Sequence, residues 1–275
     1  MSNVDEQCVV RAARSAARTL RAVDDPTRPT VGGWNLGELS VHMLHVLDFE
    51  LARVRREPMP DVADFDALSR YTVSYVAEEP SRDPRDLAAR IEATAGEYAA
   101  ATTGRDPDEL YDWLGGTKLP LRTLHAHSVS ELTVHSADVA KALGHKPVVP
   151  ADAALAALED FVVPLVTAVG ESGSFGGPTA FVDPEAGRGF RACYEVRLAG
   201  GAAPKHFVIG DGALHIRDAD PGRRVDCKVS ADPAALLLVM WGRASQWPAV
   251  ARFQLRAYGR KPWLATKLAS LLRTP

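Results

Sequence analysis

The chain has little of what would assign it quickly. Three cysteines in 275 residues, Cys8, Cys193 and Cys227, are odd in number and far apart. They can build neither a disulfide framework nor a paired-cysteine metal knuckle, and a reducing cytoplasm is the compartment expected. There is no excess of positive charge: the formal net charge is −3, without the basic stripe of a nucleic-acid binder. Long hydrophobic runs are missing too. The longest, residues 234–241, falls far short of a membrane span, and the acidic N-terminus lacks the apolar core of a secretory signal. Neither nucleic acid nor membrane is therefore expected as a partner.

What is present is an ordinary globular composition, 46% hydrophobic and 24% charged. The length suits two domains better than one core. Residues 4–23 repeat apolar side chains at helical spacing, with Arg11, Arg14, Arg18 and Arg21 on the other side as a solvated face. A second helix is expected over 35–56, with Asn35 as N-cap and Glu38 three residues on. A shorter one follows at 65–78, and Asp83-Pro84 opens another reaching about 103. Residues 104–120 read as a long loop, and the helix from 121 to 143 stops at Gly144. Four substantial helices without a credible strand describe a bundle over residues 1–145. After a linker at 145–151 the pattern changes. A helix at 151–169 precedes strands near 191–198, 206–209, 214–217 and 225–229, with Gly210-Asp211-Gly212 as a hairpin turn. Helices at 233–240 and 262–272 complete an α+β domain over 151–275, so the fold class is α plus α+β.

One constellation carries chemistry. Glu131 and His135 lie four apart on the helix from 121, one turn apart on one face, with Asp138 next on the same stripe. A carboxylate bordering an apolar face of a bundle needs a cation or strong donors. His42, at the margin of the apolar face of the second helix, can supply a third ligand, whereas His45 reads as lying farther toward solvent. Two imidazoles and a carboxylate suit Zn²⁺ with a fourth position open, and also Fe²⁺, Mn²⁺ or Ni²⁺. Asp138 could accept the second ring N–H of His135. His127 is eight residues from His135, about 12 Å along the axis, too far to share the ion. Spacing alone leaves an ordinary salt bridge as the competing reading of the Glu131–His135 pair.

The segments WNLGELSVH (34–42) and ELTVHSADVAKALG (131–144) resemble the mycothiol-dependent maleylpyruvate isomerase family, of the DinB-like superfamily of thiol-dependent metalloenzymes. The resemblance implies a DinB-like four-helix bundle holding a divalent metal, zinc first, on His42, Glu131 and His135. It also implies mycothiol as the cofactor and a small electrophilic molecule as substrate. The segments 229–243 and 258–272 resemble that family's sterol-carrier-like second domain, which implies Arg243 as a catalytic carboxylate anchor near the cleft and Arg260 as a weaker candidate. Isomerase and thiol S-transferase share this machinery, and a lipid-binding protein without catalysis is a third reading. The residues do not indicate an oligomeric state.

Overall fold

The structure, a computed structural model, describes residues 4–273. Its first half is built on four long helices. α1 (Glu6–Leu20) is capped by Asp5 and buries Val9, Ala13, Ala16, Ala17 and Leu20. α2 (Leu36–Val54) starts with the expected capping box, in which Asn35 accepts from the Glu38 N–H and Glu38 from the Asn35 N–H, both at 2.9 Å. α3 is Phe65–Glu78 and α4 is Pro84–Thr102, the latter with Asp83 as N-cap and Pro84 in its first turn. α1 packs on α4 and α5 (Leu121–Ala142), and α2 packs on the same two helices from the other side. α3 lies outside this square, against α2.

The stretch expected as a loop holds a small ribbon instead. β1 (Leu110–Asp112) pairs antiparallel with β2 (Lys118–Pro120) across a turn containing Gly115 and Gly116. Gly115 sits at φ +59°, where a Cβ would meet the Phe175 backbone nitrogen at 2.9 Å. That close approach fixes the ribbon against the second half of the chain.

Residues 151–172 form one continuous helical rod, α6 (Ala151–Leu155), a π-helical stretch (Ala156–Val162) and α7 (Val163–Ser172). The wide turn lies just ahead of Pro164. A proline there cannot donate to the carbonyl four residues back and its ring crowds that carbonyl, which favours the looser winding. By length and composition the rod could cross a membrane. The charged Glu159 and Asp160 interrupt it, so no continuous apolar run marked it in the sequence. Here it packs between α5 on one side and the sheet and α8 on the other, as a core helix does.

The sheet has the order β5-β4-β3-β6-β7, from β3 (Ala192–Leu198), β4 (Lys205–Gly210), β5 (Ala213–Asp218), β6 (Cys227–Ala231) and β7 (Leu255–Tyr258). β3 and β6 run parallel at its centre and the other pairs are antiparallel. The β4–β5 turn has positive φ at both Asp211 and Gly212, the geometry that a two-residue hairpin requires. Asp232 caps α8 (Pro233–Met240), and α9 (Gln246–Ala251) and α10 (Ala265–Leu271) cover the sheet's far end. Buried residues of both halves join in one contiguous cluster.

Candidate metal centre

His42 comes from the middle of α2, and Glu131 and His135 from one stripe of α5, so the packing of α2 on α5 brings the three together. His42 Nε2 lies 3.4 Å and His135 Nε2 3.3 Å from Glu131 Oε2. One ligand atom from each residue lies within 4.8 Å of the other two, and each side chain is at least four-fifths buried. Donors held by one ion at about 2.0–2.1 Å in a tetrahedron sit about 3.3–3.4 Å apart, so the two imidazole–carboxylate separations are edges of that figure. The residues present fit a divalent metal.

The surroundings orient these atoms. His135 Nδ1 is 3.0 Å from Asp138 Oδ2, the role expected of Asp138, and this leaves Nε2 as the ring's inward donor. The Trp34 ring lies 5.0 Å from that of His42, and the two imidazoles meet edge to face at 4.8 Å. Burial presses Glu131 toward neutrality, but the hydrogen bonds from His135 and His42 outweigh it and hold the carboxyl well below its usual range. Burial likewise opposes charge on His135, yet Asp138 and Glu131 push its pKa up to about 9. For His42 burial wins and the pKa falls.

Two expectations about neighbouring histidines fare differently. His45 does not face solvent. α3 covers that side of α2, leaving His45 5% exposed and packed on Tyr75 at 3.6 Å between ring centroids. Burial and the nearby His42 lower its pKa to about 3. His127 stays outside the three-residue cluster, 4.0 Å from Glu131 Oε1 at its nearest. Its Nδ1 instead lies 2.7 Å from Oε1 of Glu50, a fully buried carboxylate that also pairs with Arg53 at 3.3 Å. Burial opposes the His127 cation, but Glu50 outweighs it and raises the pKa. Sequence reasoning missed Glu50 and Arg53, although a charged pair three apart, with Glu50 eight residues after His42, was a visible signal.

A cavity of about 380 Å³ opens over the cluster. His42, His45, His127, Glu131 and His135 line it together with the rings of Trp34, Phe49, Trp113, Phe161 and Trp241 and with aliphatic side chains such as Val46, Leu68 and Leu165. Phe161 reaches it from the π-helical stretch, 4.6 Å from the His127 ring. Arg243, just past Gly242 at the end of α8, also lines the cavity. Its Nε donates to Asp138 Oδ1 and Oδ2 at 3.2 and 3.3 Å, so one carboxylate serves both Arg243 and His135. Arg260 is elsewhere, paired with Asp226 at 3.3 Å.

Residues 9–140 match the sequence family described as the mycothiol maleylpyruvate isomerase N-terminal domain. Two solved structures share the fold over 94% of this chain and 94% of their own. They are a mycothiol-dependent maleylpyruvate isomerase, at 13% identity and a TM-score of 0.52, and a histidine-to-alanine mutant of such an enzyme, at 13% and 0.53. No curated protein matches the chain.

Proposed function

From the match of residues 9–140 to the mycothiol maleylpyruvate isomerase N-terminal domain family, we propose that the protein is a metal-dependent enzyme using mycothiol on a small electrophilic substrate. The observation that carries this reading is the Glu131 carboxylate gripped between two imidazole Nε2 atoms at 3.4 and 3.3 Å under an open cavity. His42, Glu131 and His135 would hold the ion, zinc first, with Fe²⁺, Mn²⁺ or Ni²⁺ also suited to the donors. When bound, the metal and the thiol supply a nucleophilic sulfur at neutral pH, able to add to a conjugated double bond and leave again, or to stay as a conjugate.

The chain's own residues have separable tasks. Glu131 would neutralise one of the two charges of a divalent ion held inside an apolar bundle. Asp138 fixes the ring orientation of His135, and Arg243 holds Asp138 from across the cleft. The aromatic walls exclude water from the reacting centre. Arg243, the expected carboxylate anchor, lines the cavity and would meet one acidic group of a substrate by turning from Asp138. In this reading residues 1–145 hold the site and residues 151–275, a sterol-carrier-like unit, close it.

Metal content is the test. Purified protein is expected to carry near-stoichiometric divalent metal and Glu131→Ala less than about a tenth of it. Absence of metal from both would overturn the proposal. Mass spectrometry after incubation with mycothiol and an electrophile separates isomerase from S-transferase, since only the latter leaves an S-conjugate. A second reading has its own observation. An apolar groove of about 460 Å³ lies between α8, α9, β7 and α10, lined by Val239, Trp247, Val250 and Phe253 among others. It suits a lipid-holding protein, which would copurify with lipid and tolerate His42→Ala.

A further inference from the structure

The net charge of −3 conceals a strongly basic end of the chain. Residues 233–273 hold seven arginines and lysines and no aspartate or glutamate. Four of these cations are engaged, Arg243 by Asp138, Arg260 and Lys261 by Asp226, and Arg273 by Asp66. Arg252, Arg256 and Lys267 are exposed and form no ion pair among the described residues. The same stretch leaves apolar side chains in water. Of the eight large hydrophobic residues exposed among those described, five fall between 247 and 263: Trp247, Val250, Phe253, Tyr258 and Trp263.

Trp247 and Val250 lie three apart on α9 and so share a face. With Phe253, just past the helix, they line the groove of about 460 Å³ whose lining also takes in Leu255, Leu268 and the exposed Arg256. Phe253 is held at φ +58°, a left-handed conformation that a bulky side chain enters only under strain. Its ring is nonetheless 71% exposed, with the Arg256 guanidinium 5.6 Å from its centre. Burial within the chain does not repay that strain, so the ring is presented outward. Single-stranded nucleic acid stacks its bases on flat rings along a charged track, whereas these rings border an aliphatic groove. A second copy would have to bring its acidic first 232 residues against this end. Such a head-to-tail contact does not close into a dimer. An anionic bilayer answers both features at once: rings and aliphatic groups enter the interfacial layer while arginines stay among the lipid phosphates.

We propose that the face formed by α9, β7 and α10 docks on an anionic lipid bilayer. Trp247, Val250 and Phe253 enter the interfacial layer, and Arg252 and Arg256 pair with lipid phosphates. The lipid stays in the bilayer, which separates this docking from the lipid-holding reading above, and nothing in it depends on thiol chemistry.

Co-sedimentation of the whole chain with vesicles is the test, using phosphatidylcholine alone and phosphatidylcholine with about a third phosphatidylglycerol. The bound fraction is expected to be about tenfold higher on the anionic vesicles at low salt, and to fall several-fold at about 0.5 M salt. Arg252→Ala combined with Arg256→Ala is expected to remove the preference for anionic lipid. Trp247→Ser is expected to weaken binding to the anionic vesicles about tenfold. Phe253→Asn, whose short polar side chain suits positive φ, is expected to weaken binding several-fold without lowering the thermal midpoint, which tells lost docking from lost folding. Equal sedimentation with both vesicle types, or with neither, overturns the proposal, as does undiminished binding by the double arginine variant. Phospholipid carried by the protein into the vesicle-free supernatant overturns it in favour of a lipid carrier. Binding to a single-stranded oligonucleotide without binding to vesicles overturns it in favour of nucleic acid.

Discussion

Asp138 is a side chain with two claims on it. It fixes His135 through Nδ1 and accepts from Arg243 Nε, while being itself almost fully buried. Asp138→Asn keeps the shape but removes the charge, and is expected to weaken metal binding about 10–100-fold by competition titration. A pH effect comes from a different histidine. His125 is buried on the bundle's inner side, with its Nδ1 2.9 Å from the Tyr98 hydroxyl, and burial lowers its pKa to about 4. In the unfolded chain the same ring takes up a proton below about 6.5. Between those two values the unfolded state binds more protons, so stability is complete above 6.5 and is lost as the pH falls toward 4. The slope from this one group is about 1.4 kcal/mol per pH unit at most. Urea midpoints from pH 7 to 4.5 should show that decline, and it should be shallower in His125→Gln.

Among the elements, those with strong local grammar were legible and those fixed by contact were not. The capping box at Asn35, Asp83-Pro84 and the Gly210-Asp211-Gly212 turn each specify their own geometry, and the helices and hairpin stand where those signals put them. The candidate cluster was legible because His42 rides on α2, set by that capping box, and Glu131 and His135 lie four apart on α5, whose end Gly144 marked. The ribbon of β1 and β2 was invisible because three-residue strands carry no alternation to read. β7 is a four-residue edge strand, mostly exposed, with the same defect. His45 was misread because a helical wheel of α2 alone cannot show that α3 covers it. The ribbon's position depends on Gly115. Gly115→Ala adds a Cβ at φ +59° against Phe175 and is expected to cost about 2 kcal/mol, read from the shift in denaturation midpoint. Gly116→Ala is the comparison, since its Cβ would meet nothing within 4 Å.

At the scale of the whole molecule, the linker expected at 145–151 shows as residues 145–150 without helix or strand, and the halves on either side of it are packed together. The rod from Ala151 to Ser172 packs on α5 as well as on the sheet, and the buried cluster runs through both halves. Unfolding should accordingly be a single transition. Helical ellipticity and tryptophan fluorescence are expected to report the same midpoint in guanidinium, and two separated midpoints would show that the halves melt apart. On the proposed metal reading, chelation should lower that midpoint without splitting it, because an ion bound only to the folded state adds stability to the whole unit.

The carboxylate shared by His135 and Arg243 has a consequence for how such a protein can change over generations. A bundle that evolves its metal centre alone would be a portable part, free to be fused to any neighbour. Here the carboxylate that meets the imidazole of His135, a candidate ligand, also accepts from an arginine contributed about a hundred positions later. Exchange of the second half by recombination would therefore leave Asp138 without its cation, and the inherited site would have to be retuned before it worked. The two halves are bound to be inherited, and to diverge, as a pair.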